Sequence, residues 1–279
     1  MNARLLRPLA SGVHPEAAAW RSAVVANGGS VSASTVKAVS TFCAAIDSAG
    51  IRDRFYRLNL FAGTGLNAAL VPLYRGPIYG GTTYGNATDT NNGPFVSGDY
   101  AETGASSGLK GNGTSKYLDT GFPANTIAGS SLHMGVGLRA VDTLSSFRFA
   151  LSCYRAATLS EYSIYTGVNG RKTACFGSYG VAGTFAGTTD DPTLVGNLVG
   201  AYPNAYRDGV AFGDAATTSQ NYSDVDSMCV FCTLANGTTP QQHTDARIDW
   251  YSIGETMTSA QVLSFNNALV SFQAALNRT

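Results

Sequence analysis

Few side chains in this sequence are able to do chemistry, and their spacing decides what each could do. Cys229-Val230-Phe231-Cys232 has the spacing of a metal-binding or redox pair. In a strand, however, residues i and i+3 point to opposite faces, so the two sulfurs are expected to diverge, and the reading is two buried thiols. His14, His133 and His243 are isolated, and none opens a His-x-x-x-His or His-Glu pattern. Serine hydrolysis needs a triad that assembles in space, and no nucleophile elbow is expected, Gly104-Ala105-Ser106-Ser107-Gly108 being read as lacking the single-residue spacing around Ser. Cleavage of a glycosidic bond needs two flanking carboxylates, yet Glu occurs only as Glu16, Glu102, Glu161 and Glu255. Asp190-Asp191 and Asp224-Val225-Asp226 do not follow the twelve-residue calcium loop and read as solvated loop acids. No catalytic, cofactor-binding or metal-ligating residue is assigned, and no enzyme activity is expected.

The elements that would carry any site follow from periodicity. Residues 15–27 read as a first helix with Trp20, Val24 and Ala17 as its stripe, ended by Gly28-Gly29. A second begins at a Ser32 or Ser34 cap and repeats Val36, Val39, Phe42, Cys43 and Ile46 at helical spacing. Residues 51–58 read as an extra amphipathic turn with Phe55 inward and Arg52, Arg54 and Arg57 outward. From Leu58 short apolar runs are expected to be strands or extended segments, and residues after Pro77 form a long loop up to Pro94. Loops beyond about 12 to 15 residues are commonly functional. Tyr79, Tyr84, Asn91 and Asn92 are therefore its candidate contacts for a glycan or a partner.

Next comes Gly108-Leu109-Lys110-Gly111-Asn112-Gly113-Thr114-Ser115-Lys116-Tyr117-Leu118-Asp119-Thr120-Gly121-Phe122. Its Gly-Asn-Gly can supply the positive backbone dihedrals of a tight turn, and beyond it Tyr117 and Asp119 face one way while Leu118 and Thr120 face the other. Residues 131–141 alternate in the same fashion, with His133, Gly135, Gly137 and Arg139 opposite Leu132, Met134, Val136 and Leu138. Further strands are expected over 147–153, 162–165, 172–176, 194–202, 228–234 and 246–253, and Asp208-Gly209 should turn a hairpin of type I′. Thr258-Ser259-Ala260-Gln261 is a capping box with Met257 and Val262 as its staple. It opens a helix over 258–277 striped by Val262, Phe265, Leu269, Phe272 and Leu276. Many short strands with few helices between them favour a sandwich.

The stretch from Gly108 to Phe122, with Asn91-Asn92-Gly93-Pro94-Phe95-Val96-Ser97-Gly98-Asp99-Tyr100 before it and the segment from Ser252 to Leu276 at the end, resembles a domain of tailed-bacteriophage virion proteins. That resemblance implies a concanavalin-like (laminin-G-like) jelly roll. The expected fold is thus mainly β, an antiparallel jelly-roll β-sandwich with an N-terminal helical region and a C-terminal helix. Residues 1–57 would form the arm and helical region and 58–279 the body. The resemblance further implies a structural virion protein, present in several copies, whose partners are other virion proteins. Carbohydrate-binding modules of the same fold supply the competing class, with host glycans as ligand. The Glu-x-Asp-x-x-Glu signature of jelly-roll glucanases is absent from the sequence.

Composition narrows the partners. Eighteen basic and eighteen acidic residues cancel over 279 residues. No basic run with interleaved aromatics appears, so nucleic acid is not expected as a ligand. No apolar run approaches the roughly 18 residues of a membrane helix. Residues 1–14 carry Arg4, Leu5, Leu6 and Arg7, too short an apolar run for a signal-peptide core but suited to an anchoring arm that orders on a neighbour. Synthesis in a host cytoplasm followed by assembly into the virion is the expectation. The five cysteines, Cys43, Cys153, Cys175, Cys229 and Cys232, sit mostly in apolar runs, as free thiols do, and no disulfide framework or cofactor is expected.

Overall fold

The computed structural model describes residues 12–77, 81–127, 131–141, 148–155, 160–168, 171–178, 193–199, 202–211 and 225–278. Arg4, Leu5, Leu6, Arg7, Tyr79, Asp190, Asp191 and Asp224 lie outside them.

In chain order the elements are α1 (Pro15–Ala26), α2 (Ala33–Ser48), β1 (Phe55–Asn59), α3 (Leu66–Ala69), β2 (Thr90–Asn92), β3 (Tyr100–Ala101), β4 (Gly108–Lys110), β5 (Tyr117–Pro123), β6 (Ser131–Ala140) and β7 (Arg148–Arg155). They continue with β8 (Ser160–Val168), β9 (Arg171–Ser178), β10 (Thr193–Val199), β11 (Tyr202–Arg207), β12 (Val210–Ala211), β13 (Ser227–Val230), β14 (Thr233–Ala235), β15 (Thr239–Gln241), β16 (Arg247–Gly254) and α4 (Ser259–Ala275). One sheet runs β12-β11-β10-β6-β16, with β4 and then β3 on the free edge of β16 at one end and β1 on the same edge at the other. The second runs β9-β8-β7-β13-β5-β2, with β14 and β15 attached to β7 beside β13. Pairing is antiparallel except for one parallel contact, Ala235 to Tyr154, and the bridge of Phe149 to His243. The result is a jelly-roll sandwich with helices on one side.

Two cores follow from strand alternation. Between the sheets, Leu132, Met134, Val136 and Leu138 of β6 meet Leu118, Leu151, Ile164 and Val230 from the opposing sheet. On the outer face of the first sheet, Trp250, Val195 and Tyr206 are covered by Trp20, Phe42, Phe265, Leu269 and Phe272 of the helices. Strand β16 serves both cores because its register shifts between Ile248 and Trp250. That bulge puts Ile248 and Tyr251 on the inner face although they are three residues apart. The Trp250 indole lies across Gly135 and Gly137. A Cβ would come within 2.9 Å of the ring at Gly135 and within 2.3 Å of its Nε1 at Gly137, so the spacing of small residues on β6 makes the seat for the tryptophan. Trp250 and Phe42 in turn contact Phe265 at ring distances of 5.3 and 6.4 Å.

Most expected elements are present. Ser32 caps α2 through the Thr35 N–H, and Thr258 and Gln261 form the capping box of α4. Asp208 and Gly209 turn the β11–β12 hairpin at φ 51° and 80°. The corrections are local. Residues 51–58 do not extend the helix: a single 3-10 turn at Arg52–Arg54 leads into β1, whose first residue is Phe55. Arg52 and Arg57 are buried rather than outward, and the boundary drawn after Arg57 falls inside β1. The apolar run after Gly65 holds a turn of helix, α3, instead of a strand. In the Gly111-Asn112-Gly113 turn only Gly113 takes a positive φ. The turn is held instead by Asn112, whose Oδ1 accepts the N–H groups of Thr114, Ser115 and Lys116 at 3.0 to 3.1 Å.

Candidate functional site

The outer face of the second sheet gathers a group of polar side chains, several of them buried. On β7, Leu151 and Cys153 point inward, so Ser152 points out; on β8, Tyr162 and Ile164 point inward, so Glu161, Ser163 and Tyr165 point out. On β5, Leu118 is in the core and Tyr117 and Asp119 face outward, half-buried. Register then aligns Asp119, Cys229, Ser152 and Ser163 across four adjacent strands. Ser152 Oγ lies 2.7 Å from Ser163 Oγ and donates to Thr233 Oγ1 at 2.9 Å. These hydroxyls are buried and satisfy one another.

Glu161, next to this ladder and 2% exposed, accepts a short hydrogen bond from the Tyr165 hydroxyl. Burial pushes its carboxyl above the usual range, opposed by hydrogen bonds from Ser163 and Tyr165. Its hydrogen-bond partners are the hydroxyls of Tyr165 and Ser163. Asp119 receives the Gly121 N–H at 2.8 Å and the Ser227 hydroxyl, and Asp226 is bound to Arg155 at 2.7 Å. At the β5 end, Cys229, Cys232 and Leu234 cluster beneath Tyr117, whose ring meets His243 at 5.9 Å. Burial and the Arg148 charge hold His243 below its ordinary value.

The expectation that Cys229 and Cys232 diverge is overturned here. β13 ends at Val230, and Phe231 turns the chain at φ 74°, so residue 232 returns to the face that carries 229. A strand period does not apply across a residue in the left-handed region. By its letters Gly104-Ala105-Ser106-Ser107-Gly108 does have the spacing of a nucleophile elbow, contrary to the reading from sequence. Its setting is not that of one, because the chain leaves a turn and enters a strand, β4, instead of leaving a strand and entering a helix. Ser106 is exposed and its carbonyl accepts from Arg247 at 2.8 Å.

The loop chosen for its aromatics and amides is fastened from beneath. Arg57, 0% exposed, donates to Asp89 Oδ1 at 2.6 Å, to the Tyr251 hydroxyl at 2.9 Å and to the carbonyls of Tyr84 and Asn86. Asn59 holds the other Asp89 oxygen at 2.8 Å. Tyr84 stacks on Tyr56 at 5.6 Å and meets Phe122 edge-on. The Asn91 amide is committed at both ends to the Phe95 backbone, at 2.7 and 2.9 Å. Asn92 donates to the Thr90 carbonyl at 3.3 Å. Tyr84 lies in the loop, whereas Asn91 and Asn92 fall in β2, where register sets Asn91 opposite Leu118 and Asn92 opposite Tyr117.

The sequence matches no protein-family model and no curated protein. Some solved structures resemble the chain. A Trypanosoma rangeli sialidase superposes with a TM-score of 0.50 at 10% identity, covering 76% of this chain and 32% of that one. The NanB sialidase from Streptococcus pneumoniae gives 0.44 at 16% identity, over 55% of this chain and 26% of that one. Domain 4 of AbnA, an arabinanase from Geobacillus stearothermophilus, gives 0.42 at 14% identity, over 57% and 75%. The chain thus spans less than a third of the length of either sialidase. Likeness at this identity is likeness of fold.

Proposed function

We propose that the chain is a structural component of a tailed-phage virion, carried in several copies and acting through protein contacts. The support is where the resembling segments fall in the fold. Gly108 to Phe122 makes β4, the Asn112-centred turn and β5, the passage by which the chain crosses from one sheet to the other. Ser252 to Leu276 makes the end of β16 and the helix that seals the first sheet. The segments that carry the resemblance therefore form the framework of the body. The test is fractionation: particles are purified from lysates of cells carrying the gene and probed for the chain by mass spectrometry. Enrichment with the particles at fixed stoichiometry is expected, and a chain left wholly in the unassembled fraction defeats the reading.

A second reading, a glycan-binding module, is favoured by one observation: Tyr117 and Asp119 stand half-exposed at the edge of the hydroxyl ladder. An aromatic ring beside a fixed carboxylate suits the face and hydroxyls of a sugar. Glycan-array binding that Tyr117→Ala abolishes would favour it, and an array blank for the wild type would remove it.

A further inference from the structure

Outside the sandwich, three different metal-binding side chains meet where α1 packs on α2. His14 caps α1, Glu16 lies in its first turn and Cys43 sits in the middle of α2. One donor atom from each lies within 4.8 Å of the other two. All three are buried, at 8%, 6% and 0% exposure. Glu16 is only half satisfied: its Oε1 accepts from Arg52 Nε at 2.7 Å, while Oε2 has no hydrogen-bond partner. A buried carboxylate oxygen without a partner is costly and calls for an explanation. Burial, the largest cause, pushes the Cys43 thiol up and keeps it protonated, and the Glu16 carboxyl is raised for the same reason.

We propose that this cluster binds one divalent cation of the zinc class, ligated by His14 Nδ1, Glu16 Oε2 and Cys43 Sγ. Imidazole nitrogen, thiolate and carboxylate together suit zinc or cobalt and are a poor set for magnesium or calcium, which take oxygen ligands. The His14 ring is oriented for this role. Its Nε2 faces Asp47 Oδ2 at 3.0 Å, so Nε2 carries the proton, and Nδ1, which accepts the Glu16 N–H at 3.2 Å, keeps its lone pair. A carboxylate behind a ligating imidazole is the usual outer support of a metal site, and Arg52 on the other oxygen of Glu16 does the same for the carboxylate.

Charge also closes. A dication, a thiolate and a carboxylate sum to zero, leaving Arg52 and Asp47 to offset each other. Binding replaces the Cys43 proton, which leaves to solvent, and takes the Nδ1 lone pair from one long cap bond. Ligand atoms around zinc stand about 3.3 to 3.8 Å apart for bonds of about 2.0 to 2.3 Å, so the side chains close by up to about 1.5 Å. Three protein ligands leave a fourth position for a water molecule or another donor.

The experiment titrates Co²⁺ into the metal-stripped full chain and follows absorbance. One equivalent is expected to give a thiolate-to-cobalt charge-transfer band together with the visible bands of a tetrahedral ion, both displaced by Zn²⁺. Cys43→Ser should lose the charge-transfer band, and Glu16→Gln should weaken binding at least about tenfold. Cys229→Ser should keep both signals and serves as the control for the other thiols. Circular dichroism identifies a variant that fails to fold, in which case Cys43→Ala takes its place. A folded wild type that shows no charge-transfer band, or a band that survives removal of the Cys43 thiol, overturns the proposal and leaves Glu16 and Arg52 as a buried ion pair alone.

Discussion

The two outer faces of the sandwich are built from opposite materials. On the helix side the strands present Trp250, Val195 and Tyr206, and three helices close over them with Trp20, Phe42, Phe265 and Phe272. On the other side the strands present Ser152, Ser163, Glu161 and Tyr165, which bond to one another and to Thr233. Apolar burial scales with area and does not depend on direction, whereas a hydroxyl ladder contributes only the small net gain of each bond. The contrast locates most of the outer-face stability on the helix side. The chain, with only 13% charged residues, also places Arg52, Arg57 and Arg278 in its interior. Each is surrounded by fixed acceptors: Arg278 by the carbonyls of Leu60, Phe61, Glu102 and Asp249, Arg57 by Asp89 and Tyr251.

The largest expected effect tests the helix side. Phe265 contacts Phe55, Phe42 and Trp250 at ring distances of 4.8 to 6.4 Å and is 0% exposed. Phe265→Ala should cost about 3–5 kcal/mol in denaturant melts, because the surrounding rings cannot collapse into the space. A loss below about 1 kcal/mol would mean that α4 is not the lid this face requires.

Next comes pH. His133, on the helix-side face of β6, is fully buried, donates from Nδ1 to the Glu255 carbonyl at 2.7 Å, and stacks edge-on against Phe55. Burial first, and then the Arg54 charge, lower it from 6.5 to about 4, against the opposing pull of the Glu255 carbonyl. In the unfolded chain the imidazole takes up a proton below about pH 6.5, which the folded state resists. Its contribution is therefore present above that pH and lost as pH falls through about 4, a total of roughly 3 kcal/mol. Glu16 and Glu161, both raised, act in the opposite sense as they protonate. The checking measurement compares the wild type with His133→Gln: the wild type should lose stability faster between pH 6.5 and 4. Parallel curves would show that the imidazole is not sensed.

What the sequence made legible divides along the same line. The helix side was readable because its signals are local or periodic: the Thr258-to-Gln261 cap, the stripes of α2 and α4, and the alternation of β6 that left Gly135 and Gly137 facing the tryptophan. The interior arginines were not readable, since a charged residue beside Phe55 looks solvent-facing until Asp89 and Tyr251 arrive from distant parts of the chain. The Cys229–Cys232 pair was misread because one residue, Phe231, leaves the strand conformation. The His14, Glu16 and Cys43 cluster escaped because its ligands come from two helices, with no spacing to announce them. Tyr84 and Asn91 were chosen by residue type, which does not distinguish an amide that binds a ligand from one that binds its own loop.

The smallest expected effect is on the far face, and it tests whether the ladder there is a set of exchangeable bonds. Ser163→Ala removes one hydroxyl, but Ser152 keeps Thr233 as a partner at 2.9 Å and Glu161 keeps the Tyr165 hydroxyl, so the cost should be about 1 kcal/mol. Ser152→Ala takes the middle member and removes a bond from both Ser163, which keeps Glu161, and Thr233, so it should cost more than Ser163→Ala. The double variant removes both partners of the 2.7 Å bond, and its cost should fall short of the sum of the single changes, because a pair deleted together leaves fewer unpaired groups than each deletion alone. A strictly additive double variant would mean that the two hydroxyls act independently. A single change as costly as Phe265→Ala would mean that the far face is held as tightly as the helix side, and the contrast between the two faces would fail.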